Sequence, residues 1–92
     1  MKIFVLGAGR MGAWCIEELC LNHDVAVFDI DRTKLKHFMN IKRFCHLDEV
    51  KAFDPEMVIN AVPLHKTIEG FDSILPLISP NCLLADMTSV KG

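Results

Sequence analysis

No stretch of this sequence is apolar for the roughly 20 residues that span a bilayer, which excludes a membrane-crossing helix. No C-x-x-C pair occurs among the four cysteines, Cys15, Cys20, Cys45 and Cys82. Metal and redox chemistry therefore lack their usual spacing, and the cysteines read as reduced, mostly buried small hydrophobes. The adjacent Cys45-His46 pair offers two ligands where zinc needs four. Nor is there an excess of positive charge. Ten Lys and Arg stand against twelve Asp and Glu, a formal net charge of −2 with the signs interspersed. That excludes the basic field on which nucleic-acid binding depends. There is no repeat, low-complexity tract or internal linker, and no cleavage-site pattern after the short apolar N-terminus, so the expected compartment is the cytoplasm. What is present is 92 residues, 51% hydrophobic and 24% charged, the makings of one globular domain.

The apolar pattern alternates between two periods. Residues 2–6 form an aliphatic run ending at Gly7, the signature of a strand buried on both faces of a parallel sheet. Past Gly12 the period lengthens. Gly12, Ile16 and Cys20 recur at i, i+4, i+8 beside Met11, Cys15 and Leu19, predicting a helix of about three turns that ends at Asn22-His23-Asp24. Residues 25–28 are a second strand, running into Asp29. Asp31 to Lys34 cap and open a short helix that turns Leu35, Phe38 and Met39 inward. A brief third strand is expected within 41–45, and Leu47, Val50 and Phe53 mark a small helix stopped before Pro55. Residues 57–62 are another strand, closed by Pro63. Leu64, Ile68, Phe71 and Leu75 then recur at helical spacing up to Pro76, and 82–85 form the last strand. Strands alternating with helices predict an α/β domain over residues 1–92. It is an open, doubly wound parallel sheet of order 3-2-1-4-5 with helices on both faces.

Gly7-Ala8-Gly9-Arg10-Met11-Gly12 joins the first strand to the first helix. A G-x-G-x-x-G run in this context is the fingerprint of a dinucleotide site. Gly7 permits the tight turn, Gly9 lets a pyrophosphate approach the backbone, and Gly12 lets the helix lie close to the strand. The helix N-terminus then offers free N–H groups and a partial positive charge to the diphosphate. Asp29 follows 22 positions after Gly7, in a loop with Ile30 and Arg32. Its carboxylate can accept the adenosine ribose hydroxyls and would repel a 2′-phosphate, which points to NAD. Arg32 could instead meet a 2′-phosphate, leaving NADP as the alternative.

Two further loops meet this edge. Ala61-Val62-Pro63 is small, apolar and stiff. It suits the lining of a dinucleotide site and equally a plain strand end. Asp86-Met87-Thr88-Ser89-Val90-Lys91 sets a carboxylate, two hydroxyls and an amine past the last strand, as a functional loop or as a capped polar one. Of the histidines, only His65 lies near, where a first-turn residue is more often solvated. His23, His37 and His46 are expected at the surface.

Taken together, the glycine turn, Val27-Phe28-Asp29, Ile59-Asn60-Ala61-Val62-Pro63 and Asp86-Met87-Thr88-Ser89-Val90-Lys91-Gly92 resemble the prephenate dehydrogenase family. The resemblance covers that family's nucleotide-binding half. It implies a Rossmann-type fold and NAD(P)-dependent oxidative decarboxylation of prephenate, or the equivalent reaction on arogenate, in tyrosine synthesis. It further implies a role for Ser89 beside the nicotinamide. The family's catalytic histidine and its helical substrate and dimerisation domain have no counterpart within these residues. The resemblance therefore implies that the 92 residues bind cofactor without turnover and that the full-length form is a homodimer. The 6-phosphogluconate and 3-hydroxyisobutyrate dehydrogenases share the glycine turn but usually lack Ser-Val-Lys. Nucleotide-sensing regulatory domains, such as those of potassium channels, are complete without a substrate domain, and the 86–91 segment argues against them.

Overall fold

The computed structural model describes residues 1–38, 41–62 and 67–86, with the side chains of Met11, His37 and Thr67 outside that description. Its five strands are β1 (Lys2–Leu6), β2 (Asp24–Phe28), β3 (Lys42–Arg43), β4 (Met57–Asn60) and β5 (Leu83–Asp86). They form one sheet in the order β3-β2-β1-β4-β5, and every pairing is parallel. Leu6 lies level with both Phe28 and Asn60, and Asn60 with Asp86. Four strands thus empty at one edge, as the sequence pattern predicts.

Side chains of successive residues point to opposite faces, and both faces are covered. Ile3, Val5, Val25, Val27 and Ile59 pack against Cys15 and Ile16 of α1 (Arg10–Leu19) and against Leu35 and Phe38. On the other face Phe4, Leu6, Ala26 and Val58 pack against Phe44, against Val50 and Phe53 of α2 (Glu49–Phe53), and against Ile74 of α3 (Thr67–Ile74). Phe44 stacks on Phe4 with ring centroids 5.8 Å apart and meets Phe53 edge-on at 5.6 Å.

Several expectations are corrected. The helix after Asp31 is a 3-10 helix, Arg32–His37, a tighter winding suited to short pieces. Leu35 and Phe38 are buried as expected, and Met39 lies outside the described residues. β4 stops at Asn60, two residues short of the apolar run. In α3 the inward face is displaced. Gly70 and Ile74 are buried and Phe71 half-buried, whereas Ile68 is 75% and Leu75 47% exposed; Leu64 lies outside the described residues. Pro76 does not stop the winding, since Leu75–Leu77 continue it as a 3-10 turn. Of the cysteines, Cys15 is buried, Cys82 is intermediate, and Cys20 and Cys45 are exposed. Burial pushes the Cys15 thiol up from its ordinary pKa, so it packs as a neutral hydrophobe. His23 is half-buried, with a buried Nδ1 that has no hydrogen-bond partner among the described residues, while His46 is exposed.

The two sheet edges differ. β3 is two residues long and basic, the usual protection of an exposed edge. β5 instead carries exposed Leu83 and Leu84. Among the described residues no helix is long and apolar enough to cross a membrane.

Two outcomes follow. Ile74 is fully buried between α3 and the sheet, so Ile74→Ala should cost about 2–5 kcal/mol in denaturant unfolding. Glu49 accepts the N–H groups of Cys45 and His46 at 2.7 and 2.9 Å. The His46 N–H bond is the chief cause holding its carboxyl below its ordinary pKa. A depressed carboxylate contributes stability above its unfolded pKa and loses it as pH falls through the folded value. Melting temperatures from about pH 6 to about pH 3 should therefore fall less steeply in Glu49→Gln than in the unaltered chain.

Candidate functional site

The site is assembled where β1, β2 and β4 end. Gly7 leaves β1 with φ +103° and donates its N–H to Phe28 O at 2.8 Å. A Cβ on Gly7 would stand 2.9 Å from the Ala61 carbonyl oxygen and 3.1 Å from Val62 N. Positive φ and this close approach both demand glycine. Gly12, in the first turn of α1, is as constrained. A Cβ there would fall on the Gly7 carbonyl oxygen and lie 3.4 Å from the Ala61 methyl. Ala61 in turn donates to Leu6 O at 2.8 Å. Three backbone segments thus interlock around positions 7, 12 and 61.

Gly9 is different. Its φ of −71° and ψ of −169° suit any residue, and among the described residues nothing lies within 4 Å of the place a Cβ would occupy. The described residues give no reason for glycine there, whereas a ligand resting on the backbone would. Gly9 is the N-cap of α1, with no side-chain capping bond and no acid in the first turn. The first intrahelical bond is Ala13 N–H to Gly9 O, so the N–H groups of Arg10, Met11 and Gly12 precede any intrahelical acceptor. Arg10 is exposed beside them.

Asp29 ties the glycine turn to the β2 loop. Its Oδ2 accepts the Ala8 N–H at 2.7 Å, and its Oδ1 accepts the Asp31 N–H at 2.8 Å. Ala8 itself is buried. A carboxylate has about four acceptor positions, so both oxygens keep capacity for ligand hydroxyls. Ile30, next along, is 87% exposed. Asp31 caps the 3-10 helix. The Thr33 hydroxyl and N–H, at 2.6 and 3.1 Å, hold its carboxyl below the usual range. Arg32 is exposed and donates to Cys45 O at 3.4 Å. That one long bond points its guanidinium toward the loop after β3.

Ala61 and Val62 are half-buried against the glycine turn. Pro63, His65 and Ser89 lie outside the described residues, as does everything after Asp86. A depression of about 450 Å³ lined by Met1, Glu56 and Leu83 lies at the opposite edge, near the amino ends of β1, β4 and β5. It holds none of these residues. No group of three His, Cys, Asp or Glu able to hold a metal is present among the described residues.

One pair went unnoticed in the sequence. Asn60, the last residue of β4, is fully buried, and a Cβ on Gly70 of α3 would stand 2.8 Å from its Nδ2 and 2.9 Å from its Oδ1. Its signal was present as two local anomalies, an amide inside an apolar strand and a glycine inside a helix, each unfavourable alone.

No family model and no curated protein matches the chain. Solved structures do match. A prephenate dehydrogenase from A. aeolicus, in complex with hydroxyphenyl propionate and NAD+, superposes with a TM-score of 0.81 at 17% identity, over 95% of this chain and 33% of that one. The Synechocystis arogenate dehydrogenase gives 0.80 at 18%, over 94% and 32%. A 3-hydroxyacyl-CoA dehydrogenase from Archaeoglobus fulgidus gives 0.79 at 27%, over 94% and 33%. The chain spans about a third of the length of each of these structures. It has the Rossmann-type fold, similar to one portion of dehydrogenases that are about three times as long.

Proposed function

We propose that this chain is the NAD(P)-binding part of an oxidoreductase of the prephenate or arogenate dehydrogenase type. The observation that carries this is Gly9, whose glycine identity has no cause among the described residues, none of which fills the place of a side chain over the uncapped start of α1. A diphosphate fits there, since it needs backbone N–H donors, a partial positive charge and no Cβ in its way. Gly7, Ala8, Arg10, Met11 and Gly12 complete the cradle. Asp29 takes the ribose hydroxyls, the exposed Ile30 side chain offers the adenine an apolar surface, and Ala61 and Val62 line the inner side, with Pro63 a candidate from the sequence of the same loop. The Asp29 carboxylate favours NAD over NADP.

Bound nicotinamide would accept the hydride, and the protein's part is to hold and orient it. By the resemblance, Ser89 stands beside the ring. The substrate, prephenate or arogenate, would be gripped by polypeptide corresponding to the unmatched two-thirds of the relatives, so these 92 residues alone bind without turnover. The full-length form would be a homodimer, at work in the cytoplasm. A second reading, the cofactor domain of a 3-hydroxyacyl-CoA dehydrogenase, draws support from the 27% identity to the Archaeoglobus chain. The sequence Asp86-Met87-Thr88-Ser89-Val90-Lys91 favours the first.

Calorimetric titration tests the cofactor. The chain should prefer NADH to NADPH. Asp29→Ala should weaken NADH by about ten- to a hundredfold, the worth of hydrogen bonds to a charged acceptor, and NADPH by less. Preference for NADPH, or unchanged NADH affinity in the variant, contradicts the proposal. The glycines supply a second check. Gly9→Ala should leave unfolding free energy within about 0.5 kcal/mol yet cut NADH affinity at least about tenfold. Gly12→Ala should destabilise by about 1–3 kcal/mol or more, through overlap with the Gly7 carbonyl. Tight NADH binding by Gly9→Ala would count against a diphosphate at that position.

A further inference from the structure

We infer that Asn60 is a positioning residue, which sets dinucleotide affinity from beneath the site by holding the turn that leaves β4 against Gly7 and Gly12. The inference rests on the dinucleotide proposal and adds to it a residue outside the cradle.

Asn60 is the one buried polar side chain among the described residues. Its strand neighbours Val58 and Ile59 are buried hydrophobes, and an aliphatic side chain at 60 would need no partner there. Yet the surroundings are fitted to an amide. Gly70 sits in the middle of α3, where glycine weakens a helix, and the Asn60 amide leaves no room for a Cβ on it. Any larger residue at 70 would displace Asn60. The amide oxygen, Oδ1, accepts the Val62 N–H at 3.4 Å. That i to i+2 bond is an Asx-type turn, and it bends the chain out of β4.

What the turn carries is the Ala61 peptide. Its carbonyl oxygen lies against Gly7 and its methyl against Gly12. Gly7 opens the phosphate turn and Gly12 sits in the first turn of α1. The contacts run without a gap from α3 through Gly70, the Asn60 amide and Ala61 to Gly7 and Gly12. Asn60 acts as a spacer between the helix on one face of the sheet and the glycine turn at its edge. Without the amide oxygen the Val62 N–H is released and the Ala61 peptide can shift. The first-turn N–H groups then lose their aim.

Hydrogen bonding is separated from mere volume by comparing Asn60→Ala with Asn60→Ser, because a serine hydroxyl can close the same turn. The ligand probe is ADP-ribose, which carries the diphosphate without nicotinamide. Titration calorimetry gives affinity, thermal melting reports folding, and the amide NMR resonances of ligand-free protein report the turn. Asn60→Ala should bind ADP-ribose at least about tenfold more weakly, with displaced Gly7 and Gly12 resonances. Asn60→Ser should return within about threefold of the parent, with those resonances restored. Should Asn60→Ala fail to fold, Gly70→Ala takes its place, since the added methyl pushes the amide aside without deleting it. Its expected result is weakened binding with the same resonances displaced. Equal affinity in every variant, or equal loss in the Ala and Ser variants, overturns the inference. A parent chain that binds no ADP-ribose would defeat the dinucleotide proposal instead, and the ligand-free Gly7 and Gly12 resonances would still decide the role of Asn60.

Discussion

Backbone packed on backbone at positions 7, 12 and 61 governs the rest of this molecule. The Gly7 carbonyl leaves no room for a Cβ on Gly12, and the Ala61 peptide leaves none on Gly7. Such contact brings β1, α1 and β4 closer than side chains would allow. The N-terminus of α1 is thereby held directly over the carboxyl edge of the sheet, where Asp29 arrives from β2. The place of α1 against β1 and β4 is a consequence of this one crossing point.

The order of strands was legible because the apolar pattern carries it. Runs such as Phe4-Val5-Leu6 and Val25-Ala26-Val27 can be buried on two faces only in a covered sheet. The glycine turn was legible for a related reason, since Gly7 and Gly12 each answer a separate steric demand. The phase of α3 was not. Counting apolar residues put Ile68 and Leu75 inside, but the space facing the sheet is shared by Ile74 and by Asn60 with Gly70. Periodicity weighs residues by polarity, and here a polar residue is buried while a glycine supplies the gap for it. The winding at Arg32–His37 and the exposure of Cys20 and Cys45 likewise depend on tertiary packing, and a one-dimensional pattern does not contain it.

Glycines in this chain divide by cause. Gly7 and Gly12 are required by the fold, and Gly70 is required by Asn60. Gly9 answers to nothing among the described residues, and so becomes the residue most informative about a ligand. Asp29 serves on both sides of this division. It ties the turn to the β2 loop through Ala8 and Asp31 and keeps acceptor capacity beyond those two bonds. A group that holds its own loops in place presents its acceptors already oriented, which lowers the ordering cost of binding.

The most direct measurement is a crystal structure of the chain soaked with NAD+. The account predicts the diphosphate over Gly9, within hydrogen-bond reach of the first N–H groups of α1, and an adenosine ribose on Asp29. A crevice left empty at saturating dinucleotide, or a dinucleotide bound elsewhere on the chain, would contradict it.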